Sequence, residues 1–458
     1  MRASMRGSAL AVWLALSLTT GCAGERTGEK AASSGLDPSF GSRGVVLTSF
    51  LADAEPGYSI GYALAVQPDG KVIFAGTKAG DGAYSKSFAL ARYLLDGSLD
   101  STFGNGGKVD TAFQSEGESR PPEAECRAVV IQGDGKIVAA GFLFLPFGFN
   151  YRFALARYNP DGTLDSGFGS GGRVITSFGS DAAQAFAVAI QADKKIVAAG
   201  SARGCCSGLP IAAGVFALVR YQPDGSLDDT FGTGGRVDTA VGSNDEGARG
   251  VLIQKDGKIV VAGSSSVVGV PGPSFALVRY LTDGSVDPSF GALGRVTTSI
   301  GSGGTRAQAV TIQADGKVVA VGSSWAVGHS AVLALARYDD DGRLDPSFGN
   351  DGRMTTDLRA GETSANAVAI QADGKIVAAG GSQAEGGGTT CVLARYRADG
   401  LLDTAFGRQG QMTVPFASTS SEDDCNGLAI QADGKILAAG ESRPYPGPPG
   451  FALARCVP

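Results

Sequence analysis

From Leu36 onward the chain alternates apolar and polar residues in short runs broken by glycine- and aspartate-rich turns. Such runs, rich in Val, Ile and Ala, predict β-strands. No segment joins a helix cap to apolar residues at 3.6-residue spacing, so helices are not expected. The stretch A-V-A-I-Q before Asp373-Gly374, followed by K-I-V-A-A-G, reads as a hairpin on a type I′ turn. An F-A-L-A-R-Y strand comes next, then a second Asp-Gly turn such as Asp283-Gly284, then a G-R-V-T-T strand. Four strands make one unit.

The unit recurs seven times at a period of roughly 60 residues. Each copy carries L-D-x-x-F-G or a close variant, beginning at Leu36, Leu99, Leu164, Leu227, Val286, Leu344 and Leu402. Each also carries a Gln before its first turn, which is Asp-Gly in six copies and Asp193-Lys194 in the third, and a version of F-A-L-A-R-Y. Four strands at this period exceed one coil of a β-solenoid and suit a propeller blade with long loops. The prediction is an all-β, seven-bladed β-propeller over residues 36–458.

The series L-D-x-x-F-G, Q-x-D-G-K and F-A-L-A-R-Y resembles the delta-60 repeat family of bacterial propeller-like proteins, over the whole of residues 36–458. That resemblance implies a propeller and no particular reaction.

The repeat opens on L-D-P-S-F-G-S-R-G-V-V-L-T and ends on F-A-L-A-R-C, so its last copy lacks an outer strand. Residues Gly44–Ser49 are expected to supply it by pairing beside Phe451–Cys456, closing the ring and removing its free edge. Seven arginines of F-A-L-A-R-Y face seven aspartates of L-D-x-x-F-G, which predicts one ion pair per blade, Asp37 with Arg455 at the closure. Such pairs fix blade geometry; a ring of charge around a channel is the functional alternative.

Ahead of the repeats, Arg2 and Arg6 precede an apolar run from Ala9 to Leu18, too short to span a bilayer, and then Thr19-Thr20-Gly21-Cys22. The end of this leader resembles the lipobox of bacterial lipoproteins, with Thr19 standing where leucine is usual. The resemblance implies a signal peptide over 1–21, a lipid on Cys22, a flexible tether over 22–35 and a place in the cell envelope, anchored to a membrane. An ordinary secretory leader with an incidental cysteine is the alternative. Export permits disulfides among the remaining six cysteines. Neighbouring blades suggest Cys391 with Cys425, and Cys126 with Cys205 or Cys206.

Composition narrows the chemistry. Glycines number 70 and charged residues make up 18%, as many tight turns require, and the net charge of −6 gives nucleic acid no basic footprint. One histidine, His329, leaves few routes to acid–base catalysis at neutral pH and none to a multi-histidine metal site. Neither a cofactor nor a metal is called for. Gly57-Tyr58-Ser59-Ile60-Gly61 matches G-x-S-x-G, but it is expected in a loop and lacks a histidine partner. Asp339-Asp340-Asp341-Gly342 reads as a turn rather than a calcium loop.

Both Asp-Gly turns of a blade fall on one face of the disc, leaving the longer, unlike loops on the other. Binding is expected there, because loops on a rigid scaffold carry specificity. The candidates are Phe142, Phe144, Phe147, Phe149 and Tyr151, either an exposed apolar patch or a cover for the blade; then Trp325 with His329, and Pro444-Tyr445-Pro446. The role expected is a monomeric, non-catalytic envelope scaffold for a protein or glycan. A carbohydrate-active hydrolase or lyase using carboxylates near the channel, and a structural envelope protein, are the alternatives.

Overall fold

The computed structural model describes residues 35–458, apart from 52–55, 81–85, 115–120, 146–150, 179–181, 204–213, 243, 267–268, 270, 359–360, 384–387, 418–421 and 444–447. The leader with Cys22, and also Phe147, Phe149, Cys205, Cys206 and Pro444–Pro446, lie outside the described residues.

Strands β1 to β28 form seven four-stranded antiparallel sheets. The first blade runs outward through β2 (Gly57–Val66), β3 (Val72–Gly80), β4 (Lys86–Tyr93) and β5 (Lys108–Thr111). Five more blades repeat this order from innermost strands β6 (Glu123–Ile131), β10 (Ala183–Ile190), β14 (Asn244–Ile253), β18 (Gly304–Ile312) and β22 (Thr363–Ile370). The seventh consists of β26 (Glu422–Ile430), β27 (Ile436–Arg443), β28 (Gly450–Cys456) and, as outer strand, β1 (Val45–Thr48). Val45 lies opposite Ala454 and Thr48 opposite Phe451. The fold is therefore the expected propeller closed by its N-terminal strand.

Apolar clusters fill the spaces between blades. One joins Phe88, Leu90 and Phe113 of the first blade to Cys126, Ile137 and Leu143 of the second. Because the middle strands are covered on both faces, K-I-V-A-A-G and F-A-L-A-R-Y read as apolar runs rather than alternations.

The Q-x-D-G-K turns differ from expectation. In the first blade Gly70 N–H donates to the Gln67 carbonyl and Gln67 N–H to the Lys71 carbonyl, with only Gly70 at positive φ (+83°). This is a type I turn followed by a left-handed residue, not a type I′ turn, which needs two positive φ values. In the third blade Lys194 takes that place at φ +70°.

Each repeated arginine is clasped by three groups. Arg92 Nε donates to Asp100 Oδ2 at 2.8 Å, its guanidinium lies 4.7 Å over the Phe103 ring, and Lys71 Nζ reaches the same carboxylate at 3.0 Å. The Arg–Asp pair, the phenylalanine and the lysine recur in all seven blades, ending with Arg455, Asp37, Phe40 and Lys435. A further guanidinium nitrogen donates to a carbonyl of the next blade, Arg455 to Leu95 and Arg337 to Ala398 at 2.5 Å. The motif thus ties each blade to itself and, through Arg92, Arg157, Arg220, Arg279, Arg337 and Arg455, six of the blades to the next.

A second tie joins the tyrosine of one blade to the outer-strand threonine of the blade before it. Tyr158 and Thr111 hydroxyls lie 2.9 Å apart, Tyr93 and Thr48 2.8 Å. Where Cys456 replaces the tyrosine, Val414 replaces the threonine, and both are buried in one cluster. Removing both polar partners together avoids a buried unpaired hydroxyl.

Cys391 and Cys425 are disulfide-bonded between the sixth and seventh blades, Cα to Cα 5.0 Å. Cys126 is not bonded; it is buried. It holds the register of Cys425, each opposite a glycine (Gly141, Gly440), and so faces the preceding blade. The place of Cys391 in that blade is taken by Phe88, so the expected link to Cys205 or Cys206 pointed to the wrong neighbour.

Candidate functional site

The innermost strands stand side by side around the axis. Each carries a β-bulge at the same register: pairing jumps between Ala307 and Ala309 in β18, leaving Gln308 out of the ladder. The cause is opposite, at Gly322 of the K-[IV]-[VIL]-x-[AV]-G motif, where a Cβ would collide with the Arg306 carbonyl oxygen. Glycine recurs there in every blade, and so does the bulge.

The residues left at the bulges are Tyr62, Arg127, Phe186, Arg249, Gln308, Asn366 and Asn426. They form a belt whose members reach one another across blades. Arg127 lies 4.0 Å over Tyr62, and Arg249 3.9 Å over Phe186. Asn366 Nδ2 donates to the Cys425 carbonyl at 3.0 Å, and Asn426 Nδ2 to that of Gly61 at 3.1 Å. Burial pushes the Tyr62 hydroxyl up to about 12.

Above the belt, toward the loop face, the mouth divides by charge. A cavity of about 610 Å³ over the third to fifth blades is lined by Arg203, Arg249 and Arg306, with Gln184, Gln308 and Tyr151. A second, of about 540 Å³, shares Arg306 and continues to Trp325, His329, Glu362 and Asp424. Burial, and then the neighbouring Asp423 charge, raise Asp424 to about 6. Burial and Asp424 raise Glu441 in turn. On the second blade burial works against ionisation of Glu125, but Arg127 at 2.5 Å and Lys86 at 2.9 Å hold it below the ordinary range.

The sequence-predicted residues divide among these places. Tyr151 lines the first cavity; Trp325 and His329 line the second. Phe142 and Phe144 belong to a strand rather than a loop, Phe144 pairing with Tyr151. Phe142 is only 4% exposed, its ring 6.0 Å from Phe186, so it is core and not part of an exposed patch. Ser59 of the G-x-S-x-G match lies in β2, not in a loop, and is fully buried. The arginine cluster was not foreseen. Only Arg249 stands at the varying bulge position; Arg203 ends the second strand of its blade and Arg306 lies two residues before Gln308, so no single repeated position signals the cluster.

A family model described as "Domain of unknown function (DUF5122) beta-propeller" matches residues 67–103, 132–168, 211–231, 254–290, 313–348, 371–406 and 431–455, half of the chain. No curated protein sequence matches. Among solved structures, a protein of unknown function from Dyadobacter fermentans is similar at TM-score 0.48 and 12% identity, over 90% of this chain and 97% of that one. An α-L-arabinanase from Penicillium chrysogenum is similar at 0.44 and 10%, over 90% and 97%. Polysaccharide lyase Uly1 is similar at 0.41 and 12%, over 86% and 89%. The expectation that the chain is not an enzyme is corrected by these last two: enzymes occur among similar structures, so the exclusion of catalysis is withdrawn.

Proposed function

The chain belongs to the DUF5122 β-propeller family, and from that premise we propose that it is an envelope-tethered propeller that binds a glycan at the channel mouth on its loop face. The observation that carries this reading is the contrast between repeats. Arginine, aspartate, lysine and phenylalanine of the clasp are the same in all seven blades, whereas the belt and the residues above it differ in charge, size and polarity. A fold needs the same chemistry at equivalent places, so the positions that diverge are those left to a ligand. Polar cavities that share Arg306 and include Tyr151 and Trp325 in their linings suit a chain of sugars, whose hydroxyls meet amides and carboxylates and whose apolar faces meet aromatic rings.

The tether rests on the leader: a lipid on Cys22, followed by residues 22–35, would hold the ring as a monomer at a membrane of the cell envelope. Glycan-array binding by the full chain tests the proposal. Retention of some glycan that Trp325→Ala weakens by tenfold or more supports it. Binding to a folded chain that this variant and Gln308→Ala leave unchanged argues against the mouth.

A further inference from the structure

The geometry points to an acidic oligosaccharide as the ligand of the mouth, its anionic groups received by Arg203, Arg249 and Arg306. This rests on the reading of the mouth as a glycan site and adds its chemical class.

The three arginines come from three adjacent blades and converge on one cavity of about 610 Å³, with no carboxylate among its described lining residues. All three are exposed. Arg306 forms no ion pair among the described residues; its guanidinium lies 5.4 Å over Trp325, as that of Arg249 lies over Phe186. The ring beneath the Arg306 guanidinium orients its plane and leaves N–H edges for an acceptor. Planar guanidinium forks match carboxylate or sulfate oxygens in pairs.

The neighbouring cavity sets the spacing of those anions. Glu362 and Asp424 stand on the far side of Arg306, where a polymer charged at every step would be repelled. A sugar chain carries its acids at intervals, with hydroxyls between that donate to carboxylates. The net charge of −6 likewise disfavours a nucleic acid.

Calorimetry with the full chain in detergent tests the inference, using a hexasaccharide that alternates uronic acid with neutral sugar, a galactan hexamer sulfated on alternate sugars, neutral cellohexaose and single-stranded DNA. At least one acidic sugar is expected to bind tenfold or more tighter than cellohexaose, and to lose tenfold or more in Arg306→Gln and in Arg249→Gln at unchanged melting temperature. Preference for one acidic sugar over the other identifies carboxylate or sulfate as the group received. Equal binding of neutral and acidic hexamers, insensitive to both variants, overturns the acidic class while leaving a glycan site at the mouth. Tight binding of DNA alone overturns the inference and the glycan reading together.

Discussion

Arg455 and Asp37, 418 residues apart in sequence, meet in the seventh blade with Nε to Oδ2 at 2.8 Å. Asp37 N–H donates to the Arg455 carbonyl at 2.8 Å, and Arg455 N–H to the Gly44 carbonyl at 2.9 Å. The same clasp that repeats inside six blades is therefore used once to join the ends of the ring. Replacing Asp37 by Ala leaves Arg455 and Lys435 facing each other without the carboxylate. Breaking a buried pair in this way costs about 3–5 kcal/mol. Denaturant unfolding should register that loss, with faster amide exchange in β1 and β28. A loss under about 1 kcal/mol would mean that strand pairing alone holds the closure.

Acid should weaken all seven clasps together. A hydrogen bond from the Ser39 hydroxyl, aided by Lys435 and Arg455, holds Asp37 well below the ordinary carboxylate range. At Asp100 burial pulls the other way, but Thr102, Lys71 and Arg92 outweigh it. A carboxyl depressed by folding gives stability that is complete above its unfolded value, near 4, and is lost as pH falls toward the folded one. Melting temperature is expected to hold through neutral pH and fall steeply below about pH 4. A flat profile down to pH 2 would contradict the clasp's electrostatic role.

Asp424 works with the opposite sign. Its carboxyl, raised to about 6 by burial and by Asp423, binds a proton in the folded chain that the unfolded chain has released. Stability from this group therefore declines as pH rises from about 4 to 6. Asp424→Asn should be more stable than the parent at pH 7 and equal to it near pH 4. Equal melting at both values would place Asp424 in a more solvated setting than the mouth gives it.

These carboxylates also show how far the sequence could be read. Strand type, blade count, closure and the Asp37–Arg455 pair were legible because each rests on a residue repeated seven times. Lys71 and its equivalents were written in the same repeat, as the K of D-G-K, but nothing in spacing says that they fold back onto Asp100. Turn type was misread because Asp-Gly occurs in two turn families, and Lys194 in the glycine position was the clue to the second. The bulges were invisible, since apolar alternation does not report register, and with them went the belt; the arginine cluster was missed because its members come from unlike positions of three repeats. Cys126 was assigned to the wrong neighbour because sequence order does not say which adjacent blade a strand face meets.

Reduction separates the two kinds of cysteine. The Cys391–Cys425 bond closes 34 residues between neighbouring blades, a loop for which chain entropy gives about 3–4 kcal/mol. Cys425→Ser should lower stability by that order in oxidising buffer and by little in dithiothreitol. Burial pushes the Cys126 thiol up to about 12, so alkylation of Cys126 should wait for unfolding. Rapid labelling of Cys126 in the native ring would contradict its placement.

Gly322 links the fold to the mouth. An added Cβ meets the Arg306 carbonyl oxygen, so Gly322→Ala must shift the bulge that presents Gln308. The expected result is a loss of about 1–3 kcal/mol together with weakened glycan binding. Unchanged stability and binding would show that the bulge does not depend on the glycine.

Of the two tryptophans in the sequence, Trp13 lies in the leader and Trp325 at the mouth. The most direct measurement is therefore Trp325 emission in full chain carrying Trp13→Phe, titrated with a glycan whose binding calorimetry has established. If the ligand sits at the mouth, emission shifts saturably with the calorimetric affinity, and the shift weakens in Arg306→Gln. Saturable heat with no change in Trp325 emission, unaltered by Arg306→Gln, would place the ligand elsewhere and contradict the account.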